Sequence, residues 1–229
     1  DLTIHCFNVA DRYRLPVFLL ADEVVGHMVE RVAVPACDSI EHWERKHAAT
    51  PPGEHFEPFK ITDPDLVPPI VHAGEGYCIH YTGLTHDERG YPDMTAATHN
   101  ELVTRLVEKV RVNRENIIRT EGYSLEDAEI VVIAYGCTAR SARQAVREAR
   151  QAGIRAGLLR LISLWPFPEE EIARLATRAR SLIVAEMNLG QISREVERCA
   201  RRPARGVFHA GGMMIPPDPI LQAIREASA

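Results

Sequence analysis

Ala128-Glu-Ile-Val-Val-Ile-Ala-Tyr-Gly-Cys-Thr-Ala-Arg-Ser-Ala-Arg-Gln-Ala-Val146, then a glycine at 153, then Gly157-Leu-Leu-Arg-Leu-Ile-Ser-Leu-Trp165, is the stretch whose reading decides the fold. Ile130 to Ala134 is apolar without polar alternation and too short for a helix, as expected of a strand covered on both faces in a parallel sheet. Gly136 turns the chain, and Thr138 is expected to cap a helix whose apolar positions Ala142, Ala145, Val146 and Ala149 recur at helical spacing until Gly153. Gly157 to Ser163 reads as the next buried strand. Strand, crossover helix and strand make a βαβ unit.

The same pattern continues toward the C-terminus. Trp165-Pro-Phe-Pro168 breaks the second strand, and Pro168 with Glu169, Glu170 and Glu171 suits a helix N-terminus and its dipole. Ile172, Leu175, Ala176 and Ala179 are expected to face inward. Ser181 to Ala185 reads as a third strand, Asn188-Leu-Gly190 as a turn into another helix, Val207 to His209 as a fourth strand, and Asp218-Pro219 as the start of a last helix. From about residue 123 onward the expectation is a small, mostly parallel sheet with helices on both faces.

Upstream, Ile4, Phe7 and Ala10 follow helical spacing before Pro16, and Pro16 to Ala21 reads as another buried strand, followed by a helix from Val24. The chain opens at Asp1 without Met and inside this helix, so it reads as a piece of a longer protein. Between Pro35 and Pro92, eight prolines and five glycines preclude long regular elements. An irregular run of that length is more often functional or partner-covering than idle. Tyr77 to Tyr81 is a candidate short strand within it. Thr98-His-Asn-Glu101 then reads as a capping box, and Leu102, Val103, Leu106, Val107 and Val110 form an apolar stripe expected to dock the following helix.

Composition narrows the function classes. The chain has 229 residues, of which 45% are hydrophobic and 26% charged, as expected of a folded domain or two. A net charge of -5 argues against a nucleic-acid partner. No stretch approaches the ~20 apolar residues of a membrane span, so no membrane association is expected. Cys6, Cys37, Cys78, Cys137 and Cys199 are odd in number and never at CxxC spacing, which suits a reducing cytoplasm and excludes a self-contained iron–sulfur or zinc-ribbon ligand set. Phosphate-loop, nucleophile-elbow and zinc-protease motifs are all absent.

Several positions remain as candidates for chemistry. Cys137 is either a thiol activated at a helix N-terminus or a half-buried turn residue. Asp22-Glu23, at a strand end, is either catalytic or a helix cap. The histidines have no metal-ligand spacing on one element, so none is expected to bind a metal. His86-Asp87-Glu88, between glycines, is the densest set of titratable groups; it reads equally as a functional loop or as a solvated turn.

Taken together, four segments resemble the α subunit of thiamine-diphosphate-dependent 2-oxoacid:ferredoxin oxidoreductases, most closely the 2-oxoglutarate branch. They are Phe7-Asn-Val-Ala-Asp-Arg-Tyr-Arg-Leu-Pro-Val-Phe-Leu-Leu-Ala-Asp-Glu23, Thr82-Gly-Leu-Thr-His-Asp-Glu-Arg-Gly90, Gly157-Leu-Leu-Arg-Leu-Ile-Ser-Leu-Trp-Pro-Phe-Pro168 and Ile183-Val-Ala-Glu-Met-Asn-Leu-Gly-Gln191. With Gly211-Gly212 they run through nearly the whole chain.

The resemblance implies an α/β fold in three parts: 1–35, the C-terminal end of a pyrimidine-binding-type thiamine domain; 36–122, a Pro-rich connection and helix; and 123–229, a transketolase C-terminal-like domain. It also implies an enzyme that oxidatively decarboxylates a 2-oxoacid to an acyl-CoA, with ferredoxin as electron acceptor. Thiamine diphosphate, magnesium and an iron–sulfur cluster are implied for the complete complex, held by a partner β subunit, with none bound by this chain alone. The residues implied to reach substrate or the subunit interface are His86, Asp87, Glu88 and Arg89. Two other readings are a non-catalytic subunit-assembly domain, and a pyruvate or branched-chain 2-oxoacid enzyme of the same family.

Overall fold

The computed structural model describes residues 1–229. It divides into two compact units, residues 1–20 with 29–117, and residues 21–28 with 118–229.

The first unit begins with helix α1 (Leu2–Tyr13), which buries Asn8, Val9 and Tyr13. This face differs from the expected one, and Phe7 is 70% exposed. Periodicity located the helix, but Asn8 sets its inward side: the Asn8 amide donates to Glu41 O at 2.8 Å, and its oxygen accepts from Trp43 N at 3.2 Å. Arg14 ends the helix in the left-handed region, at φ 47°. Its Nη1 donates to the carbonyl oxygens of Pro58, Pro68 and Pro69 at 3.2, 3.0 and 2.8 Å.

Pro16 to Leu20 is extended but forms no strand, and Phe18 and Leu20 are more than 80% exposed. Apolar runs become buried strands only when a neighbouring strand supplies the ladder, and no strand of this unit does so.

The Pro-rich segment carries only a single 3-10 turn (Cys37–Ser39) and two isolated bridges, His47 with Ile70 and His86 with Pro92. Tyr77–Tyr81 is not a strand.

The one-turn helix α2 (Glu23–Gly26) belongs to the second unit, and helices α3 (Ala96–Val112) and α4 (Arg114–Ile117) complete the first. Thr95, three residues ahead of the expected cap, closes the α3 N-terminus by accepting from Thr98 N at 3.4 Å. α3 buries Lys109 and Val110, while Val103, Leu106 and Val107 of the expected docking stripe stay exposed. A small core of Val9, Tyr13, Val67, Val110 and Ile117 holds this unit.

The second unit is built as the sequence predicts. Strands β1 (Thr120–Tyr123), β2 (Ile130–Tyr135), β3 (Ala156–Leu161), β4 (Ser181–Glu186) and β5 (Arg205–Phe208) form one sheet in the order β1-β3-β2-β4-β5. β2 pairs in parallel with β3 and β4, β4 pairs in parallel with β5, and β1 joins β3 antiparallel. β1 was not expected, because Thr120-Glu-Gly-Tyr carries neither an apolar run nor alternation; it is an edge strand with two exposed residues.

Helices α5 (Thr138–Gln151), α6 (Glu169–Arg178), α7 (Gln191–Ala200) and α8 (Pro217–Ser228) cover the sheet. Successive strand residues point to opposite faces. Ile130, Val132 and Ala134 accordingly pack with Ala142, Ala145 and Val146 of α5 and with Ile220 and Ile224 of α8. Val131 and Ile133 pack on the other side with Ile172 and Leu175 of α6 and Val196 of α7. This is the three-layer α/β architecture the sequence predicts, with two helix starts shifted: α5 begins at Thr138 itself, with Cys137 at the cap position and no side-chain cap from Thr138, and α8 starts at Pro217 rather than at the expected Asp218 cap. The Trp165–Pro166 peptide is cis. No helix is long and apolar enough to cross a membrane.

Candidate functional site

In an open parallel sheet, ligands approach the carboxyl ends of the strands. There the turn after β2 is already filled from within: Asp22 Oδ2 accepts the Cys137 backbone N–H at 2.6 Å. Gly136 lies at φ +55°, and any Cβ at that position would clash with the same carboxylate. Asp22 thus serves as a cap, taking the place where an external anion would bind. Burial, and then the Asp22 charge, push the Cys137 thiol up, and its Sγ lies 3.5 Å from Met187 Sδ. That is the setting of an inert thiol, not of an activated one.

At the end of β4, the 1%-exposed Glu186 accepts Ile192 N at 3.0 Å, Ser193 N at 2.9 Å and the Tyr135 hydroxyl at 3.1 Å. Burial and this carboxylate push the Tyr135 phenol up to about 12. Glu186 is committed to holding the N-terminus of α7.

The loop at His86 is built differently. Asp87 Oδ1 accepts Arg89 N at 3.0 Å and Tyr91 N at 3.1 Å, while Oδ2 accepts Arg89 Nε and Nη2 at 2.8 and 2.6 Å. Asp87 N donates to Tyr91 O at 3.0 Å and Gly90 N to Asp87 O at 3.0 Å. Gly90, at φ +87°, leaves no room for a Cβ, which would collide with the His80 carbonyl. The loop is therefore a fixed turn in which Asp87 and Arg89 face each other. The Arg89 guanidinium holds the Asp87 carboxyl below its ordinary range, helped by the Tyr91 amide.

His86 is half-buried, with its ring 3.9 Å from that of Phe59, centroid to centroid, and its Nδ1 3.0 Å from Asp87 O. The Arg14 guanidinium sits 5.5 Å over Phe59. His86, Asp87 and Glu88 border a cavity of about 350 Å³ that also receives Thr98, Glu101 and Arg105 from α3. Burial, and then the neighbouring Arg14, hold the Arg105 guanidinium below its usual value. Lys109, one turn further on, is 3% exposed and donates to Arg14 O at 2.9 Å; burial and the two arginines pull it down to about 8. The structure thus gathers His86, Asp87 and Glu88 at one cavity and leaves Arg89 on the exposed side of the loop, turned to Asp87.

Sequence reasoning missed Arg105 and Lys109. The signal was present: Arg105, Lys109 and Asn113 continue at helical spacing from Leu102 of the expected docking stripe, but the polarity of these three kept them out of it. It also missed His47, His72 and Glu75, whose ligand atoms all lie within 4.8 Å of one another although no motif spacing connects them.

Comparison with known proteins bears on both units. Residues 1–105 match the family described as pyruvate flavodoxin/ferredoxin oxidoreductase, thiamine diP-bdg, and residues 128–220 match pyruvate:ferredoxin oxidoreductase core domain II. The chain is 44% identical over 226 residues to the 2-oxoglutarate synthase subunit KorA of Methanocaldococcus jannaschii, covering 98% of this chain and 59% of that protein. It is 36% identical over 227 residues to the ketoisovalerate oxidoreductase subunit VorB of Methanothermobacter marburgensis, covering 99% of this chain and 56% of that protein. The chain therefore spans less than two thirds of the length of these relatives. Its fold superimposes on a 2-oxoglutarate:ferredoxin oxidoreductase from Magnetococcus marinus with a TM-score of 0.91, over 100% of this chain and 40% of that one, at 22% identity.

A magnesium diphosphate requires a cage of oxygen ligands. At the His86 cavity both oxygens of Asp87 are already engaged by Arg89 and Tyr91, and Arg105 contributes a cation. These residues do not fit a magnesium diphosphate.

Proposed function

Because this chain belongs to the 2-oxoacid:ferredoxin oxidoreductase α subunits, we propose that the whole protein is part of an enzyme that oxidatively decarboxylates 2-oxoglutarate. In that reaction 2-oxoglutarate and coenzyme A give succinyl-CoA, carbon dioxide and a proton, and two electrons pass singly to two ferredoxins. Thiamine diphosphate supplies the carbanion chemistry when bound, and a β subunit carries it with magnesium and an iron–sulfur cluster. The observation that carries the reading is the 44% identity to a 2-oxoglutarate synthase subunit along 98% of the chain. The lower figure of 36% for the ketoisovalerate relative favours 2-oxoglutarate over a branched 2-oxoacid.

On this reading residues 1–35 close a pyrimidine-binding-type domain, 36–122 connect, and 123–229 form the transketolase C-terminal-like domain. The protein works in the cytoplasm. The loop His86, Asp87, Glu88 and Arg89 orders substrate or the subunit interface: His86 and Arg105 offer donors to a carboxylate in the cavity, and the Asp87–Arg89 pair keeps the loop in shape.

The test is a steady-state assay of the assembled enzyme with coenzyme A and ferredoxin, comparing 2-oxoglutarate, pyruvate and 2-oxoisovalerate. The highest kcat/KM is expected with 2-oxoglutarate. A higher value with either competitor would reassign the substrate, and no ferredoxin reduction with any of the three would overturn the reading.

A further inference from the structure

A second polar cluster shares no residue with the His86 cavity, and the proposed reaction makes no use of it. Ile70 N donates to Lys46 O at 2.7 Å and Ala48 N to Ile70 O at 3.0 Å, closing the parallel bridge between His47 and Ile70. In paired extended chains, a residue and the one two places beyond its partner share a face within side-chain reach. His72 therefore comes up beside His47, with ring centroids 4.8 Å apart.

The chain then folds back between Gly74 and Gly76, both at positive φ, and returns Glu75 to the same spot. Glu75 Oε2 accepts His72 N at 2.7 Å, and Oε1 lies 3.0 Å from His72 Nδ1. The base beneath is tied down. Lys46 is ion-paired with Asp63 and Asp65 and donates to Val67 O at 2.8 Å, and the Tyr77 hydroxyl donates to Thr50 O at 2.6 Å. Backbone pairing and a double carboxylate hold thus bring two imidazoles and one carboxylate together, rather than chance meetings of mobile side chains.

We propose that His47, His72 and Glu75 form a binding site for a borderline divalent transition-metal ion of the zinc or nickel class, completed by water. Two imidazoles and one carboxylate are the donor set such ions take, whereas magnesium and calcium want oxygen alone. Zinc bonds of about 2.0–2.2 Å place tetrahedral ligand atoms about 3.4 Å apart. The three ligand atoms lie within 4.8 Å of one another, so closing on an ion asks exposed side chains for shifts of about 1 Å or less. Beside them, a hollow of about 420 Å³ bordered by Pro52, Val71 and Tyr77 leaves the open coordination positions accessible. The proposal is independent of the reaction assigned above.

The test uses the full chain assembled with its partner subunits, dialysed against chelator and titrated with Zn²⁺ in competition with a chromophoric zinc chelator. One equivalent per chain is expected to depend on the trio, with His47→Ala and His72→Ala each weakening it at least tenfold and the double variant abolishing it. Glu75→Gln is expected to weaken it about tenfold or more. Zn²⁺ is also expected to raise the melting temperature of the wild type and not that of the double variant. Should the alanine variants lose their melting transition in chelator, His47→Gln and His72→Gln carry the same comparison. Equal zinc uptake by wild type and double variant overturns the site. Equally effective competition by Ca²⁺ overturns the assigned metal class.

Discussion

At Asp87 one carboxylate serves four donors, two backbone amides and two guanidinium nitrogens. Asp87→Ala is expected to loosen the loop and, in the assembled enzyme, to raise KM or lower kcat about tenfold, with Asp87→Asn milder because it keeps one acceptor. Unchanged kinetics in both variants would remove the loop from the site. The pH dependence has a definite sign. Because the folded carboxyl lies below its ordinary value, its contribution is present above about pH 4 and is lost as pH falls through the lower folded value. Hydrogen exchange at Arg89 and Tyr91 should therefore stay protected at pH 5. Lys109 behaves oppositely. Its ammonium is pulled down to about 8 by burial, so the unfolded chain holds more protons between about pH 8 and 10, and stability should rise across that window, by at most about 3 kcal/mol. Denaturant unfolding at pH 8 and pH 10 measures it, and Lys109→Met should flatten the rise.

Elements formed where apolar spacing and punctuation agreed. β2, α5 and β3 were legible in Ala128–Trp165 because unbroken apolar runs, a turn glycine and a 3.6-residue period all favoured one structure. α3 shows what periodicity omits. Its spacing predicted a helix, yet Val103, Leu106 and Val107 lie outside and Lys109 inside. An apolar stripe states which face water disfavours and not which partner covers it, whereas a long lysine can bury its stem if its tip finds a carbonyl. Pro16 to Leu20 illustrates the same gap, since strand formation depends on a neighbour that no local pattern encodes. The loop at His86 was legible as a dense polar turn, but its cavity was not, because Arg105 and Phe59 enter it from distant positions. For α7, the amides of Ile192 and Ser193 depend on Glu186, so Glu186→Ala is expected to lower stability by about 2–3 kcal/mol and Glu186→Gln by less. Thermal melts of the two variants decide it, and a neutral alanine variant would refute the capping role.

At the scale of the whole molecule, the family was legible because four short motifs in a fixed order survive together where each alone is weak. The chemistry was not legible in the same way, since the densest titratable loop, at His86, borders a cavity whose residues do not fit a magnesium diphosphate. The corresponding prediction concerns composition: this chain purified alone should turn over no 2-oxoglutarate and bind no stoichiometric thiamine diphosphate. Turnover is expected from the whole α subunit, of which this chain is a part, assembled with a cofactor-bearing β subunit. Activity or bound cofactor in the isolated chain, checked by assay and by equilibrium dialysis, would refute that division of labour.

The three prolyl carbonyls gathered by Arg14 bear on how so irregular a segment keeps one shape. Proline contributes an acceptor and no donor, so a proline-rich stretch carries a surplus of oxygens that its own backbone cannot satisfy. A guanidinium has the complementary imbalance, five N–H groups and no acceptor. Stoichiometry of this kind lets a single side chain at the end of α1 do for residues 58–69 what a ladder does for a strand. It also makes lysine, with a compact head of another geometry, a poor substitute at position 14.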